Sequence, residues 1–433
     1  PWPFNQYGSV WAFPYLLVSF AIPHEFLLVG IRLLTVCFYI GATYFLYKST
    51  IIVFNLKTAQ ISVFLYLVFQ PFLGPWNTSL LPWPSSLVTL LVALICYLIV
   101  DAIGSDENKI NRNLLAIGFC IAIILGSRLQ IGILMLLSLS FAIVVLRIGK
   151  VRFLFLGSVL WLIPWTVFLQ SRGWFIPSLY DSVVLGAQFL GSDHLHYPLP
   201  VLSVIAGVFL FVWLELALAS RLNKFVNIVF LGLAFMASLL LTKRILGDSF
   251  IFSNYLSVTQ RKTLAAMFFC SLIILSIEFL KCIVRFDKVL GSADQTRKIL
   301  FLLISICSAA QAWPFFDQMH IWWSFAPILV FLAERLSNLG FFNEVISRST
   351  YLLSVLFLML FLVVSQFTGN KTQLNSIDQK LVFVSTLDER NELEVQDFIR
   401  EQIPIGSEVL NLCPNARSEE HTSELQSLAC ISY

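Results

Sequence analysis

Residues 299–335 read ILFLLISICSAAQAWPFFDQMHIWWSFAPILVFLAER. Two apolar runs flank a short joint, Trp313-Pro314-Phe315-Phe316-Asp317-Gln318-Met319-His320, that holds one acid and one histidine. Each run approaches the roughly 17–20 residues that a helix needs to cross a bilayer core. A soluble domain would interrupt them with charge every few positions, and these are uninterrupted. The pair therefore reads as two consecutive membrane crossings joined at one face.

The same alternation extends in both directions. Crossings are expected near 27–48, 58–74, 86–104, 114–127, 130–148, 152–170, 199–219, 225–242, 263–282, 299–315, 320–335 and 350–368, which makes twelve. The stretch Val10 to Ile22, broken by Pro14, is too short to span and reads as an interfacial or re-entrant helix. Composition agrees, with 58% hydrophobic residues, 12% charged and forty Phe, against about 45–50% apolar in a soluble domain. The expected fold is an all-α polytopic membrane protein of about 12 transmembrane helices, with the start of a small α/β extracytoplasmic domain. A net charge of +3 over 433 residues, placed in short loops, excludes a nucleic-acid-binding stripe. Cys37, Cys96, Cys120, Cys270, Cys282 and Cys307 lie in apolar segments without zinc spacing and read as small core residues.

Four regions follow: 1–26, the remnant of a first outer loop; 27–368, the transmembrane domain; 369–416, the start of an extracytoplasmic α/β domain; and 417–433. In the third, Leu381-Val382-Phe383-Val384 and Ser407 to Leu412 read as strands around a helix at Glu392 to Glu401. In the fourth, Arg417 to Ser427 resembles a translated sequencing adapter. The chain begins at Pro1 without a methionine, so an upstream piece is expected to be absent.

Basic residues set the orientation. Loops on one side carry sixteen Lys and Arg, from Lys48 and Lys57 to Arg335 and Arg348, and loops on the other carry Arg128, Arg172, Lys243, Arg244, Arg261 and Lys262. The first side is then cytoplasmic and both ends of the chain are outside. Most of the eleven tryptophans and four of the five histidines gather on the outer side with the prolines. A proline-fixed surface suits a preformed cavity better than a loose connector.

The outer cations are candidate anion ligands. A charge beside an apolar span is costly and marks function by default, and guanidinium makes paired contacts to phosphate oxygens. Arg128, followed by Gln130 and Gly132 inside apolar sequence, stands first, then Arg172, Lys243 and Arg244. The competing reading for these side chains is snorkelling to lipid headgroups. Asp317 and His320 can hold a divalent metal or orient an acceptor if the joint turns helically, and otherwise form an ordinary loop pair. His194 and His196 alternate like strand residues but lack a third ligand, and Glu215 and Glu278 read as ion pairs with Arg221 and Lys281.

Pro1 to Tyr15, Gly126-Ser127-Arg128-Leu129-Gln130-Ile131-Gly132, Ala312 to Asp317, His320 to Trp323 with Pro327, and FIREQIPIGSEVLNL at 398–412 together resemble the glycosyltransferase C superfamily. Most similar are bacterial relatives of protein mannosyltransferases and aminoarabinose transferases. The resemblance covers most of residues 1–416 in layout and loose motifs. It implies an enzyme in the bacterial inner membrane, active face outward, that moves a sugar from a polyprenyl-phosphate donor to a glycan, lipid or protein acceptor among membrane lipids, without nucleic acid. It also implies a catalytic carboxylate in the first outer loop. No Asp precedes Asp101 here, so that base is expected upstream of Pro1, with Asp317 and His320 the catalytic candidates within the chain and Arg128, Gln130, Arg172, Lys243 and Arg244 binding substrate. Rival readings are a lipid-linked polysaccharide ligase or polymerase using Arg172 and His194, and a transporter, which needs polar residues at mid-depth.

Overall fold

In the computed structural model the described residues are 9–23, 27–70, 83–180, 183, 224–246, 256–284, 292–312, 318–339, 352–353, 355–360, 371–375 and 381–385. The chain divides into two compact units, residues 6–367 and residues 1–5 with 368–433.

The larger unit is helical. A 3-10 turn, Ser9–Ala12, leads into α1 (Phe13–Ala21). There follow α2 (Leu27–Val53), α3 (Leu56–Val68), α4 (Pro84–Ala102), α5 (Glu107–Leu125), α6 (Leu129–Val145), α7 (Arg152–Ser171) and the short α8 (Phe175–Tyr180). After them come α9 (Lys224–Leu246), α10 (Leu256–Val284), α11 (Ala293–Ala309) with a 3-10 extension to Ala312, and α12 (Gln318–Asn338). Among the described residues five helices are long and apolar enough to cross a membrane, and four more apolar helices are shorter. The protein is an all-α polytopic membrane protein. In the smaller unit, Lys371–Asn375 and Leu381–Ser385 form an antiparallel pair, β1 and β2, in which Gln373 faces Phe383. The expected crossing at 199–219, the helix at 392–401 and the strand at 407–412 lie outside the described residues.

Helix boundaries depart from the apolar runs in a consistent way. α11 starts at Ala293, capped by Ser292, six residues before the apolar run, and α10 starts at Leu256 and so contains Arg261 and Lys262. Apolarity marks only the part of a helix that lipid or core requires. Backbone hydrogen bonding carries the helix on into polar surroundings.

Contacts at the two ends of the bundle fix which helix ends lie together. At one end, Lys57 Nζ donates to Ser337 O at 2.5 Å and Arg297 donates to the carbonyls of Val100 and Ile103. The start of α3 thus lies beside the end of α12, and the start of α11 beside the end of α4. At the other end, Tyr66 near the end of α3 stacks on Trp322 and Trp83 before α4 stacks on Trp323. These are called below the Glu278 end and the His320 end.

Close helix pairs rely on small residues. A Cβ on Gly118 would lie 1.9 Å from Leu154 O, one on Gly157 would lie 1.9 Å from Leu115 O, and Ser158 Oγ donates to Gly118 O at 3.0 Å. α5 and α7 therefore touch backbone to backbone, as membrane helices do at small residues. Of the six described cysteines, Cys37 faces outward, against the expectation of a core position, while Cys96, Cys120, Cys270 and Cys307 are buried.

Candidate functional site

The centre of the site is a break between two helices. α5 stops at Leu125, the chain turns through Gly126-Ser127-Arg128, and α6 begins at Leu129. The turn is tied down by Gly126 N–H to Ala122 O, Ser127 N–H to Ile124 O and Ser127 Oγ to Ile123 O, at 2.8–3.1 Å. Arg128 takes the position before the first turn of α6 in an extended conformation, φ −141°, without capping the helix. Its guanidinium reaches across the bundle instead. Arg128 Nη2 lies 3.2 Å from His320 Nε2, between residues 192 apart in sequence, and both side chains are more than nine-tenths buried.

The chemistry of that contact assigns the proton. Guanidinium has donors and no acceptor, so Nη2 donates and His320 Nε2 accepts, which leaves the imidazole neutral with its proton on Nδ1. A protonated His320 would place two cations in contact. The pair also stands where two helices begin, since Arg128 precedes α6 and His320 is the third residue of α12. Helix N-termini carry partial positive charge, which favours an anion and disfavours a bare cation.

The first turns of α12 are held by three helices. Trp322 lies between Tyr39 and Tyr66, with both ring centroids at 4.7 Å, and its Nε1 donates to Tyr66 O at 3.1 Å. Trp323 Nε1 donates to Tyr39 Oη at 2.8 Å, Tyr39 Oη pairs with Ser86 Oγ at 2.8 Å, and His320 sets its ring against that of Trp323 with 5.1 Å between centroids. Pro327 sits inside α12 and has no N–H to offer the carbonyl four residues back, that of Trp323. Thr89 stands in for the missing donor: its one hydroxyl proton is shared between Trp323 O, 3.2 Å from Oγ1, and Ser85 O, at 2.8 Å. Tyr66 Oη, Ser85 Oγ and Gln311 Oε1 are buried at this end without a hydrogen bond among the described residues.

Charge is unevenly divided between the two ends. Arg32, Arg128, Lys262 and His320 are buried cations or potential cations. Arg32 lies early in α2 and Lys262 early in α10, about 24 Å along the helix from Glu278 at ~1.5 Å per residue. All four belong to the His320 end. Every described Asp or Glu (Asp101, Asp106, Glu107, Glu278, Asp294 and Glu334) belongs to the other. There Glu278 pairs with Lys281 at 3.1 Å, Lys298 at 2.9 Å and Arg335, and Lys298 also reaches Glu334 at 3.5 Å. The expected Glu278–Lys281 pair is thus part of a larger cluster joining α10, α11 and α12. Arg32 escaped the count of loop cations because it lies inside an apolar run, although a charge within such a run is itself the signal.

The structure brings together two of the residues expected from sequence, Arg128 and His320. Gln130 is exposed on α6, and Arg172 is exposed after α7 with its guanidinium 5.9 Å from the centre of the Phe168 ring. Lys243 and Arg244 lie in the last turn of α9, and their side chains are outside the described residues, as are Asp317, His194, His196 and Glu215. No group of three His, Cys, Asp or Glu suited to a metal occurs among the described residues.

No family profile and no curated protein matches the chain. Among solved structures it is similar to the archaeal oligosaccharyltransferase AglB from Archaeoglobus fulgidus, in complex with an inhibitory peptide and a dolichol-phosphate. The identity is 14% and the TM-score 0.43, over 93% of this chain and 52% of that one. The chain spans about half the length of that protein.

Proposed function

We propose that the protein is a membrane glycosyltransferase that takes a sugar from a polyprenyl-phosphate donor at the outer membrane face, with Arg128 and His320 holding the phosphate. The observation that carries the proposal is the buried Arg128–His320 contact at 3.2 Å where α6 and α12 begin. Two helix N-termini, a guanidinium and an imidazole meet there, an arrangement that favours a bound anion. In the bilayer the available anions are headed by phosphate. As a glycosyl phosphate bond breaks, charge grows on the leaving phosphate, and a fixed guanidinium stabilises that charge more than it stabilises the ground state. His320, neutral beside Arg128, has its ring N–H on Nδ1 to offer to a phosphate oxygen. The unused polar atoms of Tyr66, Ser85 and Gln311 at the same end suit the hydroxyl edges of a sugar. The resemblance in layout to the glycosyltransferase C superfamily supports the same assignment. The carboxylate that deprotonates the acceptor is proposed to lie upstream of Pro1, and Asp317 is proposed to shape the acceptor side or to hold a divalent metal there.

The test is a titration of purified protein with a polyprenyl-phosphate sugar, wild type against Arg128→Ala. Loss of a charge-assisted contact worth about 1.5–3 kcal/mol should weaken binding roughly ten- to a hundredfold. Equal affinity in a folded variant would leave Arg128 as a structural residue and end this reading.

A further inference from the structure

The sharpest steric constraint near Arg128 comes from the start of the chain. Val10 is 1% exposed, and its N–H donates to Gly126 O at 3.1 Å. A Cβ added to Gly126 would lie 2.2 Å from Val10 Cγ2 and 3.1 Å from Val10 Cβ. Gly126 has φ −76° and ψ −4°, an ordinary helical conformation open to any residue. The position therefore requires glycine only for the room that Val10 occupies. Valine is short and branched at Cβ, so it has no flexible end that could move aside.

The rest of the segment is anchored too. Tyr15 Oη pairs with Thr35 Oγ1 at 3.0 Å, and a Cβ on Gly30 would lie 2.5 Å from Ile22. As the chain rises from 15 to 22 its partners on α2 fall from 35 to 30, so α1 runs antiparallel to the start of α2 like the rising arm of a re-entrant segment. Beyond the break, a Cβ on Gly132 would lie 2.7 Å from the backbone of Leu125. The turn that carries Arg128 is thus closed on one side by the end of α5 and on the other by Val10.

We infer that residues Ser9–Ala21 form a strap that sets the position of Arg128, with Val10 and Gly126 as positioning residues. The inference rests on Arg128 as the phosphate ligand of the proposed function. Small displacements of a charge-assisted donor are costly, so a strap lifted from Gly126 should weaken anion binding while most of the bundle stays intact.

The experiment uses farnesyl phosphate as probe and the full chain in detergent. Gly126→Ala is expected to lower affinity on the order of tenfold. Adding Val10→Ala removes the clashing methyl groups and should bring affinity back to within about threefold of wild type, because the two substitutions meet in one contact. Affinity is taken on the folded fraction of each variant, so a fold lost in Gly126→Ala and regained in the double variant does not count as rescue. Independently, a Val10→Cys thiol, read by mass spectrometry of its peptide, should resist an alkylating reagent in the wild-type background and react in the Gly126→Ala background. If Gly126→Ala does not fold, Val10→Gly adds no atoms and should still lower affinity about two- to fivefold by loosening the seat. Wild-type affinity in Gly126→Ala, or a double variant no better than the single one, overturns the strap. An Arg128→Ala variant with unaltered affinity brings down the phosphate site and the strap together. Loss of binding in Arg128→Ala but not in Gly126→Ala brings down the strap alone.

Discussion

The two ends of the helical bundle treat buried charge in opposite ways. At the Glu278 end a buried carboxylate is surrounded by Lys281, Lys298 and Arg335, and Glu334 joins through Lys298. At the His320 end Arg32, Arg128, Lys262 and His320 are buried, and no acid is described near them. The first arrangement is closed, since the protein itself supplies the counter-charge. At the second, the described contact between side chains of this kind is a guanidinium against an imidazole, Arg128 with His320. Burial costs a charge several kcal/mol in either place, so the contrast sets an ion-pair cluster against the end where the proposed phosphate site lies.

The largest expected effect tests the closed end. Glu278→Gln leaves three cations around a neutral amide and should lower stability by about 3–5 kcal/mol, as breaking one partner of a buried pair does. The measurement is unfolding in mixed micelles, with farnesyl phosphate affinity taken on the folded fraction. Loss of stability with affinity retained would separate the two ends, whereas equal loss of both would break the comparison.

A smaller effect probes the support of the anion end. Thr89→Val removes the hydroxyl that answers Trp323 O, the carbonyl left over by Pro327. A buried acceptor without a donor costs about 1–3 kcal/mol. The same change should weaken binding as well, because Trp323 braces His320. Unaltered affinity in Thr89→Val would detach the aromatic shell from the site.

The smallest effect shows that burial, and not the mere presence of a pair, sets the scale. Lys150 and Glu107 approach to 2.6 Å but are 52% and 64% exposed in their side chains. Glu107→Gln should therefore leave stability close to that of the wild type, and what little changes should vanish in high salt. A loss approaching that of Glu278→Gln would make every ion pair in the molecule equivalent and remove the basis of the contrast.

Much of the fold was legible in the sequence because a bilayer imposes length. Each expected crossing within the described residues coincides with a helix, including the awkward pair around Ser127 and Arg128, where the chain does break. Helix ends were less legible. α11 begins six residues before its apolar run because Ser292 caps it, Asp294 suits its first turn, and Arg297 and Lys298 are good helix formers whatever their polarity. The candidate site was legible in part. Arg128 and His320 were each visible as polar residues beside apolar runs, but nothing in a linear reading joins residues 192 apart. Arg32 and Lys262 were misjudged for one reason: a cation was assigned to a loop or overlooked, when the helix continued through it.

By itself, the sequence determined that the protein is a bundle of membrane helices and where chemistry gathers along the chain. Hydrophobic length and the cost of charge in lipid act locally, residue by residue. Only the tertiary structure decided that Arg128 meets His320, that Thr89 completes the kinked α12, and that Gly126 is glycine because Val10 fills its place. Those facts depend on which surfaces helices present to one another. That is fixed by close packing across the bundle, where a single methyl group too many cannot be accommodated.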